Sequence, residues 1–103
     1  MSKDQTATLE AAIAAMERGN HRDAIALLLV LLAEGPRARL GLRQEAVVRA
    51  LLTQCLVQVQ ELDGATEQGK AALDIAEQSN DRDTIHRCMA LLASLRILTE
   101  GRL

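Results

Sequence analysis

The sequence predicts an all-α protein of about five antiparallel helices that stack as a repeat array. The first observation is that the chain of 103 residues aligns with itself at a shift of 41 residues, which places Leu9 on Ala50 and then on Leu91. Periods of about 20 to 50 residues are typical of repeat proteins, whose units bury their apolar faces against one another. The second observation is that apolar residues recur at helical spacing, while the β-branched residues do not alternate as they do in strands.

The first predicted helix begins after a capping residue, Asp4 or Thr6, whose side-chain oxygen can accept a hydrogen bond from an amide of the first turn. Apolar residues then recur every three or four positions. The pattern breaks at Gly19-Asn20, because glycine readily adopts the left-handed conformation that ends many helices.

The second helix is predicted to start at Asn20, which can cap it, with Asp23 near its positive end. It is expected to run to about Glu34. Gly35-Pro36 should stop it, because proline lacks the amide proton that continues the hydrogen-bond ladder.

A longer third helix is predicted from about Leu40 to Leu62, followed by a turn at Asp63-Gly64. The fourth helix is predicted from Ala65 to about Gln78. Within it, Gly69 is either a point of close helix contact or a weak position that costs about 1 kcal/mol relative to alanine.

The fifth helix is predicted from about Arg82 to Thr99, after a break and cap at Ser79-Asn80-Asp81. The whole chain, residues 1–103, is therefore predicted to be one helical repeat domain, with units at about 4–36 and 40–79 and a terminal helix at 82–100. In this interpretation the third unit ends after one helix and its turn at Gly101.

A terminal helix of a repeat array needs a polar face for solubility. The fifth helix has four polar residues that could supply such a face: Arg82, Asp83, Arg87 and Arg96. The alternative is that its remaining apolar side stays uncovered and pairs with a second copy of the chain. The residues left uncovered there would be Met89, Leu92 or Ile97.

Residues 19–25 carry a family resemblance, because a Gly-polar turn there precedes a small residue, Ala24. Leu28, Leu31, Leu32 and the closing Pro36 follow. This stretch resembles the second half of a tetratricopeptide repeat, and Ala65, Ala72 and Leu73 match it in the second unit. The chain departs from the family in lacking every aromatic landmark and in its period of 41 residues, where about 34 is usual and longer variants of about 40 to 42 exist.

The resemblance implies a right-handed α-α superhelix in which the first helices of successive units line a concave groove. Overlaying the units names nine lining residues: Leu9, Ile13, Met16, Ala50, Gln54, Val57, Leu91, Leu95 and Leu98. Members of the family that grip a C-terminal carboxylate have Lys, Asn and Arg at such positions, and this chain does not. The apolar lining suits a partner helix or an extended apolar peptide. The same spacing is also typical of core residues, so packing between helices is the alternative for these nine.

The function expected from these features is a non-catalytic adaptor that binds a protein or peptide partner, whose identity the residues leave open. One alternative is a structural protein that assembles with itself as a homodimer or larger homo-oligomer. A narrower alternative, suggested by the size and the apolar groove, is a chaperone for a secretion-system subunit.

Several other classes of function are disfavoured. The net charge of −2 and the absence of aromatic residues argue against nucleic-acid binding. No nucleophile and base have a suitable spacing, and His86 and Cys88 stand two positions apart on a predicted helix, where they cannot chelate one metal ion. We therefore expect no enzyme activity, no cofactor and no metal.

A cytoplasmic location is expected, because the first residues do not resemble a signal peptide and the longest apolar run is too short to span a membrane. Cys55 and Cys88 fit a reducing compartment as small core residues. The one basic cluster could receive an acidic segment of a partner, although a solvated helix face is the favoured interpretation. It consists of Arg37, Arg39, Arg43 and Arg49.

Overall fold

The structure is a computed structural model that describes residues 2–33 and 40–100. These residues form five α-helices, which confirms the all-α prediction. In chain order they are α1 (Lys3–Glu17), α2 (His21–Ala33), α3 (Leu42–Gln58), α4 (Leu62–Ser79) and α5 (Arg82–Glu100). The predicted stop at Gly35-Pro36, the two arginines at 37 and 39, and the predicted turn at Gly101 lie outside the described residues.

The start of α1 differs from the prediction. Ser2 caps this helix, because the Gln5 amide donates to Ser2 Oγ at 3.1 Å while the Ser2 amide donates to Gln5 Oε1 at 2.9 Å. This reciprocal pair is a capping box, which satisfies two amides at once. Asp4, one of the two residues expected to cap the helix, lies in its first turn instead.

The turn between α3 and α4 also lies earlier than predicted. The helix α3 ends at Gln58 rather than near Leu62, and Asp63-Gly64 belongs to the first turn of α4. The chain reverses at Gln60, which has a φ of 65° although it is not glycine. The Asp-Gly pair is a strong turn signal in sequence, but the left-handed residue lies three positions before it.

Three of the helix connections share one backbone geometry. Each has a residue with positive φ just after the helix: Gly19 (80°), Gln60 (65°) and Asn80 (55°). In each, the amide of the following residue donates to the carbonyl five positions earlier, at 2.8, 2.9 and 3.2 Å respectively. This bond is typical of the Schellman motif at helix ends. The first two turns are 41 residues apart, so the period of the sequence is also present in the backbone.

The main core cluster joins all five helices. Its buried members are Ala12, Ala15, Ala24, Leu28, Leu31, Val48, Leu51, Leu52, Cys55, Leu56, Leu62, Ala65 and Leu95. A second cluster forms where α3, α4 and α5 meet, and it contains Ala50, Ala72 and Cys88. Small residues at these positions allow the helix backbones to approach closely, so a large side chain at Ala24 or Ala65 would force the helices apart.

The central helix of the fold is α3, which packs against α2, α4 and α5, whereas α1 packs mainly on α2. Gly69 of α4 is a point of close helix contact, which is one of the two alternatives left open by the sequence. A Cβ atom there would lie 2.9 Å from Leu92 Cδ2 of α5 and 3.5 Å from Thr53 Cγ2 of α3. The glycine therefore fits α4 against two neighbouring helices simultaneously.

Candidate protein-interaction surface

Two of the nine residues expected to line a groove are buried inside the protein. Ala50 belongs to the second core cluster, where it packs with Ala72 and Cys88. Leu95 belongs to the main cluster. Both side chains are used in helix packing and offer no surface to a partner.

The other seven positions differ in how much surface they present. Leu9, Met16 and Val57 are half-buried against the main core cluster, and Leu91 is half-buried against the second cluster. Gln54 is half-buried as well. The exposed members of the set are Ile13, at 38 % of its full exposure, and Leu98, at 45 %. Packing between helices, the alternative left open by the sequence, therefore describes most of these positions.

A larger apolar surface lies on α5. Ile97 is 71 % exposed and Met89 56 %, and Ala93 between them is exposed too. Steps of three and four residues place them on one side of the helix together with His86 and Glu100, which are also exposed. We define these five residues, His86, Met89, Ala93, Ile97 and Glu100, as the outer face of α5. The buried residues of this helix lie on its other side, at Thr84, Cys88 and Leu95.

The equivalent face of α3 is covered. A shift of 41 residues places the three apolar residues of the outer face on Val48, Leu52 and Leu56, all of which are buried in the main core cluster. Among the described helices, α3 packs extensively against α2, α4 and α5, whereas α5 packs extensively only against α4 and α3. Among residues 2–33 and 40–100, the positions that form core in α3 are therefore left uncovered in α5.

The sequence identified this surface in part. An uncovered apolar side was the alternative to a polar cap. Of the residues named for it, Met89 and Ile97 are exposed, but Leu92 is half-buried against the main core and lies beside Gly69. Ala93 was not singled out, because an alanine alone indicates neither core nor surface. Its alignment with the buried Leu52 is the signal that could have identified it.

The described part of the basic cluster pairs within the chain. Arg43 Nε lies 3.3 Å from Asp81 Oδ2, and Arg49 bonds Glu45 at 3.2 Å and Gln68 at 2.8 Å. The Arg43–Asp81 pair links the start of α3 to the start of α5 and the Arg49–Gln68 bond links the middle of α3 to α4, whereas the Arg49–Glu45 pair lies within α3. Both arginines therefore serve the contacts between helices.

Asp81 caps α5, as the sequence predicted. Its carboxylate accepts hydrogen bonds from the Thr84 hydroxyl and, at 3.5 Å, from the Thr84 amide. These bonds, above all the one from the hydroxyl, and the nearby Arg43 guanidinium hold the pKa of Asp81 below its usual value, against the opposing effect of desolvation. The charged carboxylate thus fixes the first turn of α5 next to α3.

Cys55, Cys88 and His21 have atoms that could act as nucleophiles or metal ligands, and they lie in three different helices. Burial raises the pKa of both the Cys55 and the Cys88 thiol, so both are protonated at neutral pH and are weak nucleophiles. His21 begins α2 and is half-buried, and its Nδ1 atom has no hydrogen-bond partner within residues 2–33 and 40–100.

The described residues contain neither a metal-binding cluster nor a membrane-spanning helix. Across the ranges 2–33 and 40–100, no three His, Cys, Asp or Glu side chains come together in a way that could hold a metal ion. Among the five described helices, none combines the length and the apolar character needed to cross a membrane.

Comparisons with models of known protein families, with curated proteins and with solved structures found no match to this chain. The resemblance to tetratricopeptide repeats therefore stays a prediction.

Proposed function

We propose that this protein is a non-catalytic interaction module, an adaptor that binds an apolar helix of a protein partner on the outer face of α5. One observation carries the proposal: three positions that are core in α3 are exposed in α5. The helices of this fold pack face to face, so an apolar helix face that the other described helices leave uncovered suits a further apolar helix.

The exposed side chains provide a modest driving force. Fully burying an isoleucine or methionine side chain contributes about 1.5–3 kcal/mol. Since Ile97 and Met89 are 71 % and 56 % exposed, covering both would contribute about 3 kcal/mol before the costs of association. We therefore expect weak, reversible binding in which contacts around the rim add to the apolar centre.

The proposal keeps two further expectations from the sequence. A tetratricopeptide-like superhelix is supported by the 41-residue repetition of the turn at Gly19 and Gln60. A cytoplasmic location is supported by the free, buried thiols of Cys55 and Cys88, which suit a reducing compartment. Ile13 and Leu98 are the residues through which the predicted groove would contribute to binding.

The test is a comparison of variants as bait in a lysate of the native host. Ile97→Glu places a charge at the centre of the outer face, and we expect it to reduce capture of the partner at least tenfold. Val30→Glu is the matched control, because Val30 is exposed to 51 % on α2, a helix that has no extensive contact with α5. Captured proteins would be identified by mass spectrometry, and circular dichroism and thermal melting would establish that both variants fold.

A groove variant, Ile13→Glu with Leu98→Glu, separates the two surfaces. If it abolishes capture while Ile97→Glu does not, the partner binds in the groove and the proposal for α5 is wrong. Equal loss with Val30→Glu would show that capture is nonspecific. Leu95→Glu is unsuitable as a groove variant, because it would bury a charge in the core.

A further inference from the structure

The outer face of α5 is symmetric in sequence about Ala93. Met89 precedes Ala93 by four positions and Ile97 follows it by four. His86 precedes it by seven positions and Glu100 follows it by seven. An apolar residue thus lies four positions from Ala93 on each side. Seven positions from it, a base lies on one side and an acid on the other.

We propose that the partner of this face is a second copy of the chain, with the two α5 helices packed antiparallel about a two-fold axis at Ala93. This inference rests on the proposed function, since it uses the same surface and names its occupant. A two-fold interface requires a patch that is complementary to itself. The outer face meets that requirement in its chemistry as well as in its spacing.

The antiparallel register determines which residues meet. Each residue faces the one equally far from Ala93 in the other copy, so Met89 packs on Ile97 and Ile97 on Met89. At both ends Glu100 of one copy faces His86 of the other, and the carboxylate accepts a hydrogen bond from the imidazole. The two alanines meet at the axis, where their small side chains let the helix backbones approach.

A parallel pair of α5 helices would be less favourable. It would place each residue beside its own copy, so the two Glu100 carboxylates would repel one another and the two His86 rings would face each other. The antiparallel arrangement replaces both contacts with pairs of acid and base. The pairing of a hydrogen-bond donor with an acceptor at both ends, and the avoided repulsion between the Glu100 carboxylates, therefore favour a second copy in this one orientation.

The size of the contact predicts a weak dimer. The helix has 19 residues and is therefore about 28 Å long. One helix pair of this length buries less than the total of about 1,600 Å² that is typical of a stable complex. We expect a dimer that dissociates on dilution, which leaves the face available to other partners of the same chemistry.

The first experiment is sedimentation velocity of the full chain over a hundredfold range of concentration. The wild-type protein is expected to shift from monomer to dimer as concentration rises. Ile97→Glu should remain monomeric throughout, and Val30→Glu should behave as the wild type. A wild-type protein that stays monomeric at the highest concentration overturns the pairing of copies, while capture of a partner in the lysate test can still support the proposed function.

Disulfide trapping tests the register. Ala93→Cys should form a cross-linked dimer under mild oxidation, because its two copies meet at the axis. Ile97→Cys alone should not cross-link, whereas a mixture of Ile97→Cys and Met89→Cys proteins should give the mixed dimer. The wild-type chain is the control for its two buried cysteines. Cross-linking of Ile97→Cys with itself, or none with Ala93→Cys, would contradict the antiparallel register.

Exchange of the charged pair is an independent test. His86→Glu alone should place two carboxylates face to face and raise the dissociation constant about threefold at each end, as is typical of exposed ion pairs. Glu100→Arg in the same chain should restore dimerisation, because the acid and the base then stand in exchanged places. No recovery in the double variant would show that these residues do not face each other.

Discussion

Asp81 is the residue through which the start of α5 is attached to the rest of the fold. It accepts hydrogen bonds from Thr84 in its own helix and faces Arg43, which precedes it by 38 positions. Its role as a cap could be predicted from sequence, since Ser, Asn and Asp stand together before a helical pattern. Its pairing with Arg43 could not, because that contact depends on how α3 and α5 are placed relative to each other.

The lowered pKa of Asp81 predicts a dependence of stability on pH. A carboxyl whose pKa is lower in the folded state stabilises the fold above its unfolded value of about 3.9, and this contribution disappears as pH falls through the folded value. Asp81→Asn, which retains a capping side chain, should therefore be less stable than the wild type at pH 7. The difference should shrink at pH 3, as measured by urea unfolding at both values.

A companion variant identifies the cause of this effect. Thr84→Val removes the hydroxyl that contributes most to the lowered pKa, so the Asp81 pKa should rise toward its usual value in an NMR titration. If Asp81→Asn costs the same stability at pH 3 as at pH 7, the carboxylate charge does not contribute as described.

At the scale of the elements, the turns follow one geometry although their residues differ. The left-handed position is glycine after α1, glutamine after α3 and asparagine after α4. Glycine and asparagine adopt this conformation readily, and the sequence therefore indicated both breaks. Glutamine does not, which explains why the turn at Gln60 was predicted at Asp63-Gly64 instead.

This difference predicts opposite effects at equivalent positions. Gly19→Ala should lower the free energy of unfolding by about 1 kcal/mol, because an L-residue at φ 80° is strained even though nothing lies within 4 Å of the new Cβ atom. Gln60→Gly should raise it by up to about 1 kcal/mol, because it removes the same strain. Chemical denaturation of both variants measures the two effects.

Asn80→Gly serves as the control for the turn series. Because asparagine already tolerates positive φ, this change should raise the free energy of unfolding by about a few tenths of a kcal/mol at most. A gain at Asn80 as large as that at Gln60 would mean that backbone strain is not what distinguishes the turns.

At the scale of the whole molecule, the two buried cysteines report on two parts of the core. Cys55 belongs to the main cluster and Cys88 to the cluster that α5 closes. Because units of a repeat array contact only their neighbours, terminal elements open more readily than central ones. The helix α5 is terminal among the described elements and packs on α4 and α3.

We therefore expect Cys88 to react with a thiol reagent about tenfold faster than Cys55 under native conditions. Each thiol would be measured alone, in the Cys55→Ala and Cys88→Ala proteins, at a concentration low enough to keep the chain monomeric. The free energy of unfolding of each protein, measured in urea, would be used to correct the reaction rates for differences in global stability. Equal corrected rates would show that the chain opens as one cooperative unit.

The sequence by itself determined the all-α class, five helices and the 41-residue repetition, because helical periodicity and turn residues are local signals. It did not determine which apolar residues are buried. Ala50 and Leu95 follow the same spacing as Ile13 and Leu98, yet two lie in the core and two on the surface. Only the packing of helices decides this, because each face is buried or exposed according to the neighbour it has. For the same reason, the exposed apolar face of α5 is identified as a surface that lacks a neighbour only by the burial of the equivalent residues of α3.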